Sequence, residues 1–130
     1  MSNLNWKQVN LSDVEKIAKT IRMKLKKNLI LSISGPLGVG KTTLIKQILP
    51  EFDVKSPSFL HALYYGSDFA HLDAYTFASQ EAFLSLDIPE ILYDRCLIIE
   101  WGELVNFDIF DVEIIKVHMK INNNKRFINF

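Results

Sequence analysis

An α/β domain, a mixed β-sheet flanked by helices and finished by a C-terminal β-hairpin, is the fold class this sequence predicts. Three observations carry that expectation. Two short apolar runs, Leu29-Ile30-Leu31-Ser32-Ile33-Ser34 and Cys96-Leu97-Ile98-Ile99, are too brief for buried helices and read as buried strands. The first run leads through a glycine-rich turn into a segment of helical character, which gives the strand-loop-helix order of α/β proteins. Near the end of the chain, residues 112–121 alternate in polarity and connect across Asn122-Asn123-Asn124 to residues 125–130, the pattern of a hairpin.

Taken in order, residues 4–9 form a short extended lead-in. From Ser12 onward, Val14, Ile17, Ala18, Ile21 and Leu25 recur at helical spacing, with Ser12 or Asp13 placed to cap the helix and Glu15 early in it. That helix ends in Arg22, Lys24, Lys26 and Lys27, cations at the negative end of the helix dipole. They read as a solvated face rather than a patch for nucleic acid or lipid. Residues 42–49 make the second helix, stopped by Pro50. Residues 59–66 and 69–75 are extended around the turn Gly66-Ser67-Asp68, and 79–85 and 88–94 are short helices. Neither a repeat nor a low-complexity linker interrupts the chain, so residues 1–130 read as one domain.

Composition sets the outer limits. A chain of 130 residues, 48% apolar and 23% charged, is long enough for one core and buries roughly two-thirds of its unfolded surface. With only five Gly and four Pro, the composition excludes a fibrous or disordered chain. The lone Cys96 excludes a disulfide scaffold and an all-cysteine metal site, and it fits a reducing cytosol. No apolar run reaches the roughly 18 residues of a membrane span, and the opening MSNLNWKQVN has no signal-peptide core. A cytoplasmic protein without membrane contact is expected. The zero net charge conceals segregation: residues 1–46 carry nine Lys/Arg against two acids, 47–113 carry two against thirteen, and 114–130 carry four against none. That balance argues against a dedicated nucleic-acid surface.

The chemistry lies in Gly35-Pro36-Leu37-Gly38-Val39-Gly40-Lys41-Thr42, a full match to G-x-x-x-x-G-K-S/T, followed by Thr43. Glycines let the backbone curl so that successive N–H groups face phosphate oxygens, and the next helix adds its free N–H groups. Lys41 can reach β- and γ-phosphates, and the Thr42 hydroxyl can ligate Mg²⁺. A chance match in a chain this long arises on the order of 0.5% of the time, and here it also falls between a predicted strand and a predicted helix. The fold class is therefore P-loop NTPase-like. Such a site needs carboxylates at neighbouring strand ends. Glu100 directly follows the second buried strand, the Walker-B position, and Asp73 ends the extended run His71-Leu72-Asp73.

Four blocks together resemble the bacterial TsaE (YjeE-type) family, P-loop ATPases of tRNA threonylcarbamoyladenosine synthesis. The glycine-rich block is similar to that family's G-D-L-G-A-G-K-T-T. Ser56-Pro57-Ser58-Phe59 resembles its S-P-T switch segment, His71-Leu72-Asp73-Ala74-Tyr75 its H-x-D-x-Y, and Ile99-Glu100-Trp101 its I-E-W. Order and spacing agree over about residues 10–130. Pro36, Val39 and Thr76 stand where the family usually has Asp, Ala and Arg. The resemblance implies ATP bound by Gly35, Leu37, Gly38, Val39, Gly40, Lys41, Thr42 and Thr43, with Ser58 sensing the γ-phosphate. It implies Mg²⁺ held by Thr42 and Glu100, and catalysis by Lys41 together with Asp73, which orients or deprotonates the attacking water. Arg126, in the last hairpin, is a further candidate for a base or ribose contact. The resemblance also implies an ATPase, weak in isolation, that docks on a TsaB–TsaD heterodimer. It would serve modification of adenosine 37 in tRNAs reading ANN codons and meet tRNA only indirectly.

Two other readings share the P-loop. A small-molecule kinase would clamp two phosphorylated groups with several arginines, and this chain has three, Arg22, Arg95 and Arg126. A non-catalytic module, in which ATP only orders a docking surface, would make Asp73 dispensable. Guanine recognition through N-K-x-D has no support, since the nearest string is Asn124-Lys125-Arg126-Phe127.

Overall fold

The computed structural model describes residues 6–56, 62–76 and 80–130. Strands β1 (Lys7–Val9), β2 (Leu29–Ser34), β3 (Leu63–Tyr65), β4 (Phe69–Asp73), β5 (Cys96–Glu100), β6 (Glu113–Asn122) and β7 (Lys125–Asn129) form one sheet in the order β1-β7-β6-β2-β5-β4-β3. The four central strands are parallel, and β1, β7 and β3 are antiparallel to their neighbours at the two sides. Helices α1 (Leu11–Lys24), α2 (Lys41–Ile48), α3 (Gln80–Leu84) and α4 (Ile88–Asp94) complete it, with 3-10 turns at Ala74–Thr76 and Gly102–Leu104.

All six residues of β2 are buried, as expected of a parallel strand covered on both faces. Leu29, Leu31 and Ile33 enter a core with Ile17, Ile21, Leu44 and Ile48 from α1 and α2. Ile30 faces the opposite core with Leu72, Phe83, Ile88 and Leu97. One strand thus holds both layers together, because successive side chains leave it in opposite directions.

The first helix is capped earlier than expected. Asn10, not Ser12 or Asp13, is the N-cap: its side chain accepts from the Asp13 N–H at 2.8 Å, and the Asp13 carboxylate accepts from the Asn10 N–H at 3.0 Å. Asn10 is extended, so it can present its amide oxygen to the first turn, whereas Ser12 is already helical. At the other end Leu25 is extended and acts as the C-cap. The following cations lie where the solvated-face reading put them: Lys26 pairs with Glu113 at 3.2 Å with over half of each side chain exposed. Arg22 differs, donating to the Ile48 carbonyl that ends α2 and to both oxygens of Glu51.

The extended stretch from residue 69 stops at Asp73 rather than Tyr75, because the Asp73 carboxylate accepts the Tyr75 N–H at 2.9 Å and turns the chain. The C-terminal hairpin turns on Asn123 and Asn124, both left-handed at φ 52° and 62°. Two consecutive left-handed residues make the tight turn that matches strand twist, and asparagine tolerates it. No helix among the described residues is long and apolar enough to cross a membrane.

Candidate functional site

Parallel pairing decides what meets at the carboxyl ends of the strands. Asp73 is in register with Glu100 across β4 and β5, and Glu100 with Ile33 across β5 and β2. The glycine-rich loop leaves β2 at that same end. A loop and two acids, far apart in sequence, therefore share one crevice, the usual ligand position in an open α/β sheet.

Gly38 and Gly40 have φ of 80° and 108°, left-handed values that a side chain would strain. Gly40 is the N-cap of α2, and the first turn of α2 contains no acid of its own. Leu37, Gly38, Gly40, Lys41, Thr42 and Thr43 line a cleft of about 300 Å³, closed on the other side by Ser56, Asp73, Glu100 and Trp101.

Lys41 is 6% exposed. Its ammonium donates to the Gly35 carbonyl at 2.6 Å and the Pro36 carbonyl at 3.0 Å, and lies 3.9 Å from the centre of the Trp101 ring. Burial pulls its pKa down, while Glu100, Glu103 and Asp73 push it back up. The Thr42 hydroxyl donates to Glu100 Oε1 at 2.9 Å and lies 3.4 Å from the Ser56 hydroxyl. Asp73 is half-buried; desolvation raises its pKa, opposed by the Tyr75 N–H, with Glu100 adding to the rise and His71 and Lys41 opposing it.

The remaining residues singled out from sequence divide. Gly35 and Val39 support the loop from outside the cleft: the Gly35 N–H donates to Glu103 at 3.2 Å, and Val39 is fully buried. Arg126 also lies outside the cleft, its Nε donating to the Val39 carbonyl at 3.1 Å. It lines an adjoining hollow of about 240 Å³ with Val9, Met119 and the back of the glycine loop. Ser58 lies outside the described residues.

Sequence reasoning passed over two neighbours, Glu103 and Tyr65, and gave Trp101 no role beyond its place in the Ile99-Glu100-Trp101 block. Glu103 holds the start of the loop. Trp101, left-handed at φ 59°, turns its ring over Lys41 and against Tyr75, 5.0 Å between ring centres. Tyr65 stands behind His71 at 3.3 Å. The Glu103 and Trp101 contacts join residues more than twenty positions apart, and the Tyr65 contact crosses the β3–β4 turn, so spacing alone gives no sign of them.

Strand, glycine loop and helix, with the lysine, hydroxyl and carboxylate gathered around one cleft, define the class: a P-loop-type α/β fold of the nucleotide-binding kind. Within that class the chain belongs to the family of the threonylcarbamoyl adenosine biosynthesis protein TsaE, whose model matches residues 9–128. The tRNA threonylcarbamoyladenosine biosynthesis protein TsaE of Rickettsia conorii is 32% identical over 123 residues, 88% of this chain and 70% of that protein. Its namesake from Bacillus subtilis is 28% identical over 139 residues, 100% of this chain and 86% of that one. A crystal structure of Bacillus subtilis YdiB has the same fold, with a TM-score of 0.66 at 22% identity over 100% of this chain and 87% of that one.

Proposed function

We propose that this protein is a cytoplasmic, Mg²⁺-dependent ATPase that serves threonylcarbamoyl modification of adenosine 37 in tRNAs reading ANN codons by acting on a TsaB–TsaD complex. The observation that carries this reading is the convergence of Lys41, Thr42 and Glu100 on the cleft at the start of α2. The donor chemistry fits the metal. Hydroxyl and carboxylate oxygens suit Mg²⁺, which takes few protein ligands and shares its shell with phosphates and water. That matches a site in which, among the described residues, no three His, Cys, Asp or Glu side chains cluster to hold a metal by themselves. Bound there, Mg²⁺ would offset charge on the phosphates.

The chain's own groups would divide the work. Backbone N–H groups of Gly38 to Thr43 and the positive end of α2 receive phosphate oxygens. The Lys41 ammonium, held over the loop by two carbonyls and an aromatic face, supplies positive charge where negative charge builds. Asp73, at the cleft wall, accepts a proton from water or orients it, and its burial-raised pKa makes it a better base than an exposed aspartate. The hollow beside Arg126 and Met119 adjoins the glycine loop and would take the base or ribose. The arginines do not favour a kinase: Arg22 and Arg95 bind carbonyls away from the cleft, and Arg126 braces the loop.

Phosphate release measured alone, and with TsaB–TsaD and tRNA, tests the proposal. Turnover is expected to be low alone, since no arginine enters the cleft, and higher in the complex. Lys41→Ala is expected to abolish it while leaving the far-UV circular dichroism unchanged. Undiminished release from a folded Lys41→Ala protein, or no ATP turnover by wild type in either setting, would overturn it.

A further inference from the structure

Glu100 is gripped on both oxygens, and the grips meet. On one side His71 Nε2 lies 2.7 Å from Oε2, so that nitrogen carries the hydrogen and donates it. The other ring nitrogen, Nδ1, lies 3.3 Å from the Tyr65 hydroxyl. The Tyr65 oxygen accepts the Lys55 N–H at 3.1 Å and lies 3.3 Å from the Lys55 carbonyl. On the other side the Thr42 hydroxyl donates to Oε1 at 2.9 Å, and the Ser56 hydroxyl stands 3.4 Å from Thr42. Lys55 and Ser56 are adjacent, so the circuit closes on a single peptide. His71 is fully buried and Glu100 is 4% exposed. Neither can exchange a lost partner for bulk water, which makes each link in the ring matter to the next.

We propose that His71 and Tyr65 are positioning residues for Glu100. His71 pins Oε2 and leaves Oε1 aimed at Thr42, and Tyr65 fixes the His71 ring while tying it to the chain at Lys55–Ser56. The orientation of the carboxylate and the placement of that peptide are then set together. The consequence for metal binding rests on the Mg²⁺-nucleotide reading above; the tie to Lys55 does not.

Three variants of the full chain test this, with folding checked by circular dichroism: Tyr65→Phe, His71→Leu and His71→Gln. The last keeps an N–H near the position of Nε2. Without nucleotide or metal, the Lys55 amide is expected to exchange at least ~10-fold faster in Tyr65→Phe and His71→Leu than in wild type. In ATP-binding titrations, His71→Leu is expected to raise the half-saturating Mg²⁺ concentration ~10-fold and His71→Gln by no more than ~3-fold. Affinity for ATP in EDTA stays unchanged in both. A lower melting temperature with unaltered Lys55 exchange and Mg²⁺ dependence marks His71 as merely structural and overturns the proposal, as does a His71→Gln variant as impaired as His71→Leu. If His71→Leu does not fold, Tyr65→Phe, which removes one hydroxyl, decides by its Lys55 exchange. If wild type shows no Mg²⁺-dependent ATP binding, the proposed function fails and Lys55 exchange alone decides the positioning role.

Discussion

Asp73 and Glu100 sit side by side at two strand ends, yet their surroundings give them different chemistry. Glu100 is fully engaged by Thr42 and His71, whereas Asp73 faces the cleft and is held by the Tyr75 N–H. A carboxylate that positions water acts mainly in the transition state, so its loss lowers rate more than binding. Asp73→Asn is accordingly expected to bind ATP like wild type and hydrolyse it at least ~10-fold more slowly. Equal turnover would make Asp73 structural and overturn its catalytic assignment. The same substitution has a stability signature. Burial raises the Asp73 pKa above its ordinary 3.8. The folded chain therefore holds the proton to higher pH than the unfolded chain does. Stability contributed by this group falls as pH rises through that interval, and above it the ionised carboxylate opposes folding. Asp73→Asn is expected to melt higher than wild type at neutral pH, with the gap closing as pH falls below 3.8. Thermal melts across pH check the sign.

Between elements, two contacts fix what the site depends on. Arg22, in the last turn of α1, caps the Ile48 carbonyl and grips Glu51, so it holds the far end of the helix whose start faces the cleft. The Arg22 guanidinium holds the Glu51 pKa down to about 2. A depressed carboxylate stabilises above its ordinary 4.5 and loses that contribution as pH falls toward about 2. Because both side chains are substantially exposed, Glu51→Gln is expected to cost only about 0.5–1 kcal/mol at neutral pH, a difference that disappears in acid. The second contact is Gly102, packed against β2 just after Glu100. A Cβ there would stand 1.8 Å from Ser32 Oγ and 3.3 Å from Ser32 Cα. Gly102→Ala is expected to cost about 1–3 kcal/mol by forcing β2 and the turn after β5 apart, measured by urea unfolding. An unchanged midpoint would show that the turn yields freely.

At the scale of the whole molecule, a ligand that binds only the folded state adds to its stability. ATP with Mg²⁺ at a hundred times its dissociation constant is expected to contribute about 2.7 kcal/mol, visible as a melting shift of several degrees. Lys41→Ala is expected to lose most of that shift. Equal shifts in both proteins would place the ligand away from the loop.

Much of this was legible in the chain itself. The buried strands at 29–34 and 96–99 (the second reaching Glu100 in the structure), the loop at 35–42 and the hairpin at the end follow from local pattern, since burial on both faces demands continuous apolar runs and two left-handed asparagines make a tight turn. Lys41, Thr42 and Glu100 could be named because a phosphate-binding loop fixes its chemistry over eight consecutive residues and a strand-end acid adjoins an apolar run. The cap at Asn10 was also within reach, as an asparagine three residues before an aspartate. Only the tertiary structure decided the rest. The order of the central strands is set by pairing between segments 27 to 84 residues apart, which no local period encodes; it placed Asp73 beside Glu100 and put β2 between β5 and β6. It likewise turned Arg126 to the back of the loop and closed Tyr65, His71, Glu100 and Thr42 into one ring on the peptide of Lys55 and Ser56. Hydrogen bonds of that kind depend on where a side chain points once the sheet has formed, and direction in space is what a linear spacing does not contain.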